Sequence, residues 1–146
     1  VHWLDSDRHP LTRPDWIPAL RREAPPDLVI HAAAWTAVDA AEGDPAGAYA
    51  VNVEGTRALL DALDPTRTRL LLLSTDYVFD GTHAGAYAPD HPLSPCNVYG
   101  QSKALAEAAV RAWSPGGQVL RTSWVHDDTG PNFVVTMLRL LATRDE

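Results

Sequence analysis

A chain of 146 residues that is 45% hydrophobic and 21% charged has enough apolar content for one packed domain and too little charge for a disordered tail. Its formal net charge of −7 argues against nucleic acid or an anionic membrane surface as a partner and leaves a small molecule. The single cysteine, Cys96, excludes an internal disulfide and a cysteine-built zinc site, and no apolar stretch approaches the roughly 20 residues of a membrane span. The opening Val1-His2-Trp3-Leu4-Asp5 lacks the basic and apolar regions of a secretory signal, so a cytoplasmic location fits. It opens directly into an apolar run with no initiating Met, so an N-terminal portion is expected to precede it.

Val1 to Leu4 reads as a short strand ending at Asp5-Ser6-Asp7. Thr12-Arg13-Pro14-Asp15 reads as a capping signal for a helix running to about Glu23, with Trp16, Ile17 and Leu20 facing inward. Pro25-Pro26 stops it before Leu28-Val29-Ile30, a buried strand that leads into the small side chains of Ala32-Ala33-Ala34. Asp44-Pro45 starts a long helix in which Tyr49, Val53, Leu59, Leu60 and Leu63 fall near helical spacing until Asp64-Pro65. Leu70 to Leu73 is the next strand. Phe79 to Asn97 carries Gly81, Gly85, Pro89, Pro92 and Pro95 and reads as a surface loop. A helix from near Val98 to about Trp113 follows, broken by Ser114-Pro115-Gly116-Gly117. Val119-Leu120 begins a further strand, and a last helix from about Asn132 holds Phe133, Met137, Leu138 and Leu141.

This alternation predicts an α/β domain with a parallel sheet and right-handed crossovers. Ligands in such sheets bind beyond the carboxyl ends of the strands. The residues of interest are therefore Asp5, Ala32 to Thr36, Ser74 to Tyr77 and Thr122 to Trp124.

Tyr99 and Lys103 stand four apart on a predicted helix, so both project from one face. The strand ending in Ser74-Thr75 brings a hydroxyl to the same end of the sheet. A phenol with a pKa near ~10 is a poor acid–base group at neutral pH, and a nearby ammonium favours its ionised form. The chemistry these groups suit is reduction of a carbonyl to an alcohol, with hydride reaching carbon from a nicotinamide and Tyr99 giving a proton to oxygen. Thr75 can hydrogen-bond that same oxygen as charge develops on it.

Several segments together resemble the extended short-chain dehydrogenase/reductase superfamily, and within it the dTDP-4-dehydrorhamnose reductase family. They are Ala32-Ala33-Ala34-Trp35-Thr36-Ala37-Val38-Asp39 with Glu42, Val51-Asn52-Val53-Glu54-Gly55-Thr56, Ser74-Thr75-Asp76-Tyr77-Val78-Phe79-Asp80-Gly81, Asn97-Val98-Tyr99-Gly100 with Lys103, and Arg121-Thr122-Ser123-Trp124-Val125. The likeness continues through Asn132-Phe133-Val134 and Met137-Leu138. It implies a Rossmann-like parallel sheet flanked by helices, with residues 1–146 forming a partial dinucleotide-binding domain. It implies Tyr99 as proton donor, Lys103 binding the nicotinamide ribose and tuning Tyr99, and Thr75 completing the catalytic group. Ala33, Ala34, Trp35 and Thr36 would line the cofactor, NADPH or NADH, and Thr75, Asp76 and Trp124 would meet the sugar. The substrate implied is dTDP-4-dehydro-6-deoxy-L-mannose, reduced to dTDP-L-rhamnose. Nucleotide-sugar dehydratases of similar fold place a Glu straight after Thr-Asp, where this chain has Tyr77. Without that second carboxylate no base is at hand to remove a proton beside the carbonyl, so simple reduction is favoured.

The departures from the family pattern are local or terminal. None of the nine glycines forms the Gly-rich turn that opens a dinucleotide-binding fold, and Val1 to Leu4 corresponds to the family's second strand. The chain also stops before the smaller C-terminal domain, so a sheet incomplete at both ends is expected, in a fragment or a degenerate copy. Asp5 stands where the family carries Gly-Arg, and an acidic residue there accepts from a ribose 2′-hydroxyl and repels a 2′-phosphate, tilting the preference to NADH. Pro10 replaces an Asp and His126 a Tyr. His31, beside Val29-Ile30, reads as a satisfied core histidine, and no histidine spacing suggests a structural metal. In relatives Mg2+ is associated with a homodimer, and no residue of this chain is assigned to it. The same fold also serves as a non-catalytic regulatory subunit, in the methionine adenosyltransferase system, which is the alternative reading.

Overall fold

The computed structural model describes residues 4, 8–16, 25–127, 130 and 132–143. The expected strand at Val1 to Leu4 lies outside them apart from Leu4, and so does most of the first helix, of which a 3-10 turn at Pro14–Trp16 is described.

Three parallel strands form the sheet in the order β1 (Leu28–His31), β2 (Arg69–Thr75) and β3 (Gly117–Thr122). The register sets Ile30 beside Leu71 and Thr75 beside Thr122, so the carboxyl ends of β2 and β3 finish level. Between β1 and β2 the chain forms α1 (Val38–Gly43), α2 (Pro45–Tyr49), a π-helical turn at Ala50–Glu54, and α3 (Gly55–Ala62). The expected long helix is thus present but interrupted by a wider turn, a feature that often marks functional sites. Asp44 starts α2 by accepting the Gly47 N–H at 2.9 Å, with Pro45 in the first turn where its missing N–H costs nothing.

Helix α4 (Val98–Trp113) crosses back from β2 to β3, and α5 (Phe133–Thr143) closes the described chain. Leu59, Leu60, Leu63, Leu70, Leu72, Ala106 and Val110 form the main core between α3, α4 and one face of the sheet. Each leucine buried there contributes about 1.5–3 kcal/mol. The opposite face carries Leu28, Ile30 and Leu120, all about half exposed or more. No residue of α5 is buried.

The segment between Phe79 and Asn97 is the surface loop expected from its glycines and prolines, and it has a small core of its own. Phe79 stacks on Tyr87 at 4.1 Å between centroids, and His91 meets Tyr87 edge-on at 4.9 Å. Asp80 holds the turn by accepting from Thr82 and from the Tyr87 hydroxyl at 3.1 Å.

Candidate active site

Thr75 ends β2 in extended conformation and caps the 3-10 turn Asp76–Val78, its hydroxyl accepting the Tyr77 N–H at 3.2 Å and donating to Asp76 Oδ1 at 3.0 Å. Asn97 caps α4 by accepting the Gly100 N–H at 2.7 Å, and Glu42 of α1 accepts the Val98 N–H at 2.7 Å. These caps fix the first turn of α4, where a Cβ on Gly100 would run into the Tyr77 carbonyl oxygen. Glycine is what lets Tyr99 lie this close to Thr75.

Tyr99 and Lys103 are both buried, and both face the carboxyl end of β2. Lys103 Nζ donates to the Leu73 carbonyl at 2.8 Å, and Tyr99 shares a hydrogen bond with Thr75. The predicted tyrosine, lysine and threonine are therefore brought together. Burial pushes the Tyr99 phenol above its ordinary value, the Thr75 bond opposes this, and the Asp76 and Tyr77 charges add to it. That differs from the expected lowering by Lys103, and the physical reason is visible: the ammonium is turned to a main-chain carbonyl and is itself disfavoured by burial. Lys103 is lowered to about 8, desolvation outweighing the attraction of Glu107.

The cleft around this group holds about 280 Å³ and is lined by Ala32, Ala34, Thr75, Tyr99, Lys103 and Trp124 among others. A larger hollow of about 450 Å³ near Pro25, Pro26 and Pro65 lies where the strands begin, away from all of these side chains. The site belongs to the smaller cleft, where the polar groups converge.

The loop after β1 is held by Asn52, a buried residue of the π-helical turn. Its Oδ1 accepts the Trp35 N–H at 2.8 Å, and its Nδ2 donates to the Trp35 carbonyl at 3.2 Å and to Ser102 Oγ at 2.8 Å. Ser102 passes the connection on to the Tyr99 carbonyl at 2.7 Å. No role for Asn52 was read from the sequence, although a lone amide inside the apolar stripe of a helix is a usable signal. His31 is a buried core histidine as expected. The Thr56 hydroxyl donates to the Asn52 carbonyl, so His31 Nε2 carries a hydrogen and donates to Thr56 Oγ1 at 2.9 Å. Burial, then the charge on Lys103, lower His31 to about 4.

Asp76 is exposed and accepts from Ser123 Oγ at 2.7 Å, which joins the ends of β2 and β3. Trp124 is 70% exposed, so core packing does not explain it. Its φ of +53° is a backbone state that a bulky side chain rarely adopts, and such strain concentrates at functional sites. The ring meets Phe133 edge-on at 4.7 Å, and His126 Nδ1 bonds the Trp124 carbonyl at 2.8 Å. Asp5 lies outside the described residues. Among the described residues no group of three or more His, Cys, Asp or Glu side chains is placed to hold a metal ion, and no helix is long and apolar enough to cross a membrane.

The model of the RmlD substrate binding domain family matches residues 1–146. A dTDP-4-dehydrorhamnose reductase of Sinorhizobium fredii is 46% identical over 125 residues, covering 86% of this chain and 42% of that protein. Among solved structures, the dTDP-4-dehydrorhamnose reductase of Clostridium acetobutylicum superposes with a TM-score of 0.89 at 34% identity, over 97% of this chain and 50% of that one. The Bacillus anthracis enzyme of the same name, in complex with NADP, gives 0.88 at 35% identity over the same shares, 97% and 50%. The chain thus spans about half the length of the relatives it matches. The sheet is Rossmann-like, as these neighbours are, and the resemblance drawn from the motifs holds. With its whole length matched, the chain belongs to the RmlD substrate binding domain family.

Proposed function

We propose that this chain carries the catalytic group of a dTDP-4-dehydrorhamnose reductase, which reduces dTDP-4-dehydro-6-deoxy-L-mannose to dTDP-L-rhamnose. The observation that carries the reading is the convergence of Thr75, Tyr99 and Lys103 on one cleft at the carboxyl ends of the strands. The names of the relatives supply the substrate class.

The cleft suits the nicotinamide end of a dinucleotide. Ala32 and Ala34 are small enough for close approach, the Asn52 amide fixes the Trp35 backbone beside them, and Lys103 Nζ uses one donor on Leu73 and has others for a ribose. Of the four residues expected to meet the cofactor, Ala34 and Thr36 line the cleft, whereas Ala33 and Trp35 do not and are assigned to it only as part of the same loop, with Tyr99 and Lys103 at its reactive end. The B. anthracis relative is solved with NADP, whereas Asp5 argues for NADH in this chain. Initial rates with the two reduced forms decide between them. The sequence has no Gly-rich turn for the pyrophosphate.

When bound, the reduced nicotinamide supplies the hydride. The chain's own residues then handle the oxygen. Tyr99, protonated at neutral pH because burial favours its neutral form, gives its proton to the carbonyl oxygen as it becomes an alcohol. The Thr75 hydroxyl, turned from Asp76 toward this oxygen, donates to it as charge develops, and Lys103 holds α4 to the Leu73 carbonyl and offers its remaining donors to the ribose. Asp76 and Trp124 contact the deoxysugar from the outer rim of the cleft. Tyr77, in place of a second carboxylate, leaves no base for dehydration.

The test is loss of reduced-nicotinamide absorbance on mixing the protein, cofactor and 4-keto sugar nucleotide. Tyr99→Phe is expected to slow it by about 10²–10⁴-fold. Turnover unchanged in Tyr99→Phe contradicts the assignment.

A further inference from the structure

Glu107 is a fully buried carboxylate that the reaction above does not use. It follows Lys103 by one helical turn and Tyr99 by two, so the three side chains form one polar stripe on α4. Its Oε1 accepts from Ser74 Oγ at 2.6 Å and from Arg121 Nε at 2.9 Å. Its Oε2 accepts from Arg121 at 2.7 Å and from Arg111 at 3.0 Å. Burying a carboxylate strips it of its hydration, and aliphatic side chains would pack α4 against the sheet without that loss.

The partners show what the carboxylate holds together. Ser74 stands between Leu73, whose carbonyl receives the Lys103 ammonium, and Thr75, which is bonded to Tyr99. Arg121 extends the contact from β3 into the 79–97 loop, donating to the Pro89 carbonyl at 3.1 Å and lying 4.9 Å over the Phe79 ring. Glu107 is therefore the point at which α4, the end of β2, β3 and the loop before α4 are tied to one another.

We propose that Glu107 is a positioning residue of this site: its carboxylate fixes the Leu73-Ser74-Thr75 end of β2 against α4 and supplies the negative charge that keeps the buried Lys103 protonated. Burial alone disfavours the ammonium, and Glu107 acts against it. Facing the same region are His31 at the end of β1, Asp76 after β2, Tyr77 and Tyr99, and Arg121 on β3. Glu42 on α1 is engaged by the Val98 N–H, and Glu54 of the π-helical turn pairs with Arg57 at the surface, 2.8 Å away. Without the Glu107 carboxylate, the guanidinium groups of Arg111 and Arg121 lose the acceptor they share.

The inference rests on Lys103 belonging to the site, and its test does not depend on turnover. Lys103 is the only lysine of the chain, so protein labelled with ¹³C-lysine gives one Cε signal whose pH titration reports this amine. In Glu107→Gln the midpoint is expected to fall by roughly one pH unit, and in Glu107→Asp to return toward the wild-type value. A wild-type midpoint in folded Glu107→Gln overturns the proposal. If Glu107→Gln does not fold, Ser74→Ala decides, since it removes one neutral donor and leaves the ion pairs in place. Loosening of the Leu73 carbonyl then lowers the Lys103 midpoint, and an unchanged midpoint overturns the proposal. An inactive protein with the expected lysine shifts counts against the reductase reading alone, whereas an active one without them counts against Glu107 alone.

Discussion

The Lys103 ammonium donates to the Leu73 carbonyl at 2.8 Å, which anchors the helix that carries Tyr99 to the strand that ends in Thr75. This bond belongs to a charged group that burial disfavours, so the site holds its lysine at a cost in stability. With its pKa at about 8 when folded against 10.5 as the ordinary value, the unfolded chain binds more protons between those limits. Stability therefore rises as pH increases through that window, by at most about 3 kcal/mol. Denaturant titrations across it should show this rise in the wild type and its absence in Lys103→Met.

His31 gives the opposite end of the pH range its character. Its folded pKa of about 4 lies below the ordinary 6.5, so acid loads the unfolded chain with a proton that the folded one refuses. The stability contributed by a neutral His31 is complete above 6.5 and lost as pH falls to about 4, again by at most about 3 kcal/mol. His31→Gln keeps an amide donor for Thr56 and is expected to flatten the acid limb of a stability–pH curve. A curve identical to the wild type would show that His31 does not set it.

Where sequence and structure agree, the signals were local. The loop prolines and Ser114-Pro115 bracket α4 at Val98 and Trp113, and the four-residue spacing of Tyr99 and Lys103 fixes their shared face. Helix α1 escaped because Ala37 offers it no side-chain cap, and the π-helical turn because it shifts the period of an otherwise regular helix by a single step. Glu107 escaped for a different reason. A carboxylate in a helix reads as a solvated residue, and its burial depends on Ser74 and Arg121, which lie 33 residues before it and 14 after it. The pKa direction of Tyr99 likewise depends on depth of burial and on where Lys103 points, neither of which spacing reveals.

Asn52 holds both main-chain groups of Trp35 and the Ser102 hydroxyl through one amide. Asn52→Ala leaves these groups unpaired, at about 1–3 kcal/mol for each one that stays buried. Thermal or denaturant unfolding should show the loss. Weaker nicotinamide binding should accompany it, because Ala33 to Thr36 lose their tether.

Gly100 sits where α4 passes the Tyr77 carbonyl, with no room for a Cβ. Gly100→Ala should destabilise the fold by about 1–3 kcal/mol, the usual cost of overpacking, despite alanine's better helix propensity. It should also slow turnover by moving Tyr99 away from Thr75. A more stable Gly100→Ala protein would mean that the helix start can shift freely.

The proposed reaction is the reduction of a sugar carbonyl by an external hydride. The most direct measurement uses reduced cofactor carrying deuterium at the transferable position of the nicotinamide, with the 4-keto-6-deoxysugar nucleotide as substrate. One deuterium is expected at C4 of the product sugar, and in Tyr99→Phe the same incorporation at a rate about 10²–10⁴-fold lower. Product formed without deuterium at C4, or a label that stays with the cofactor in the wild-type protein, would contradict it.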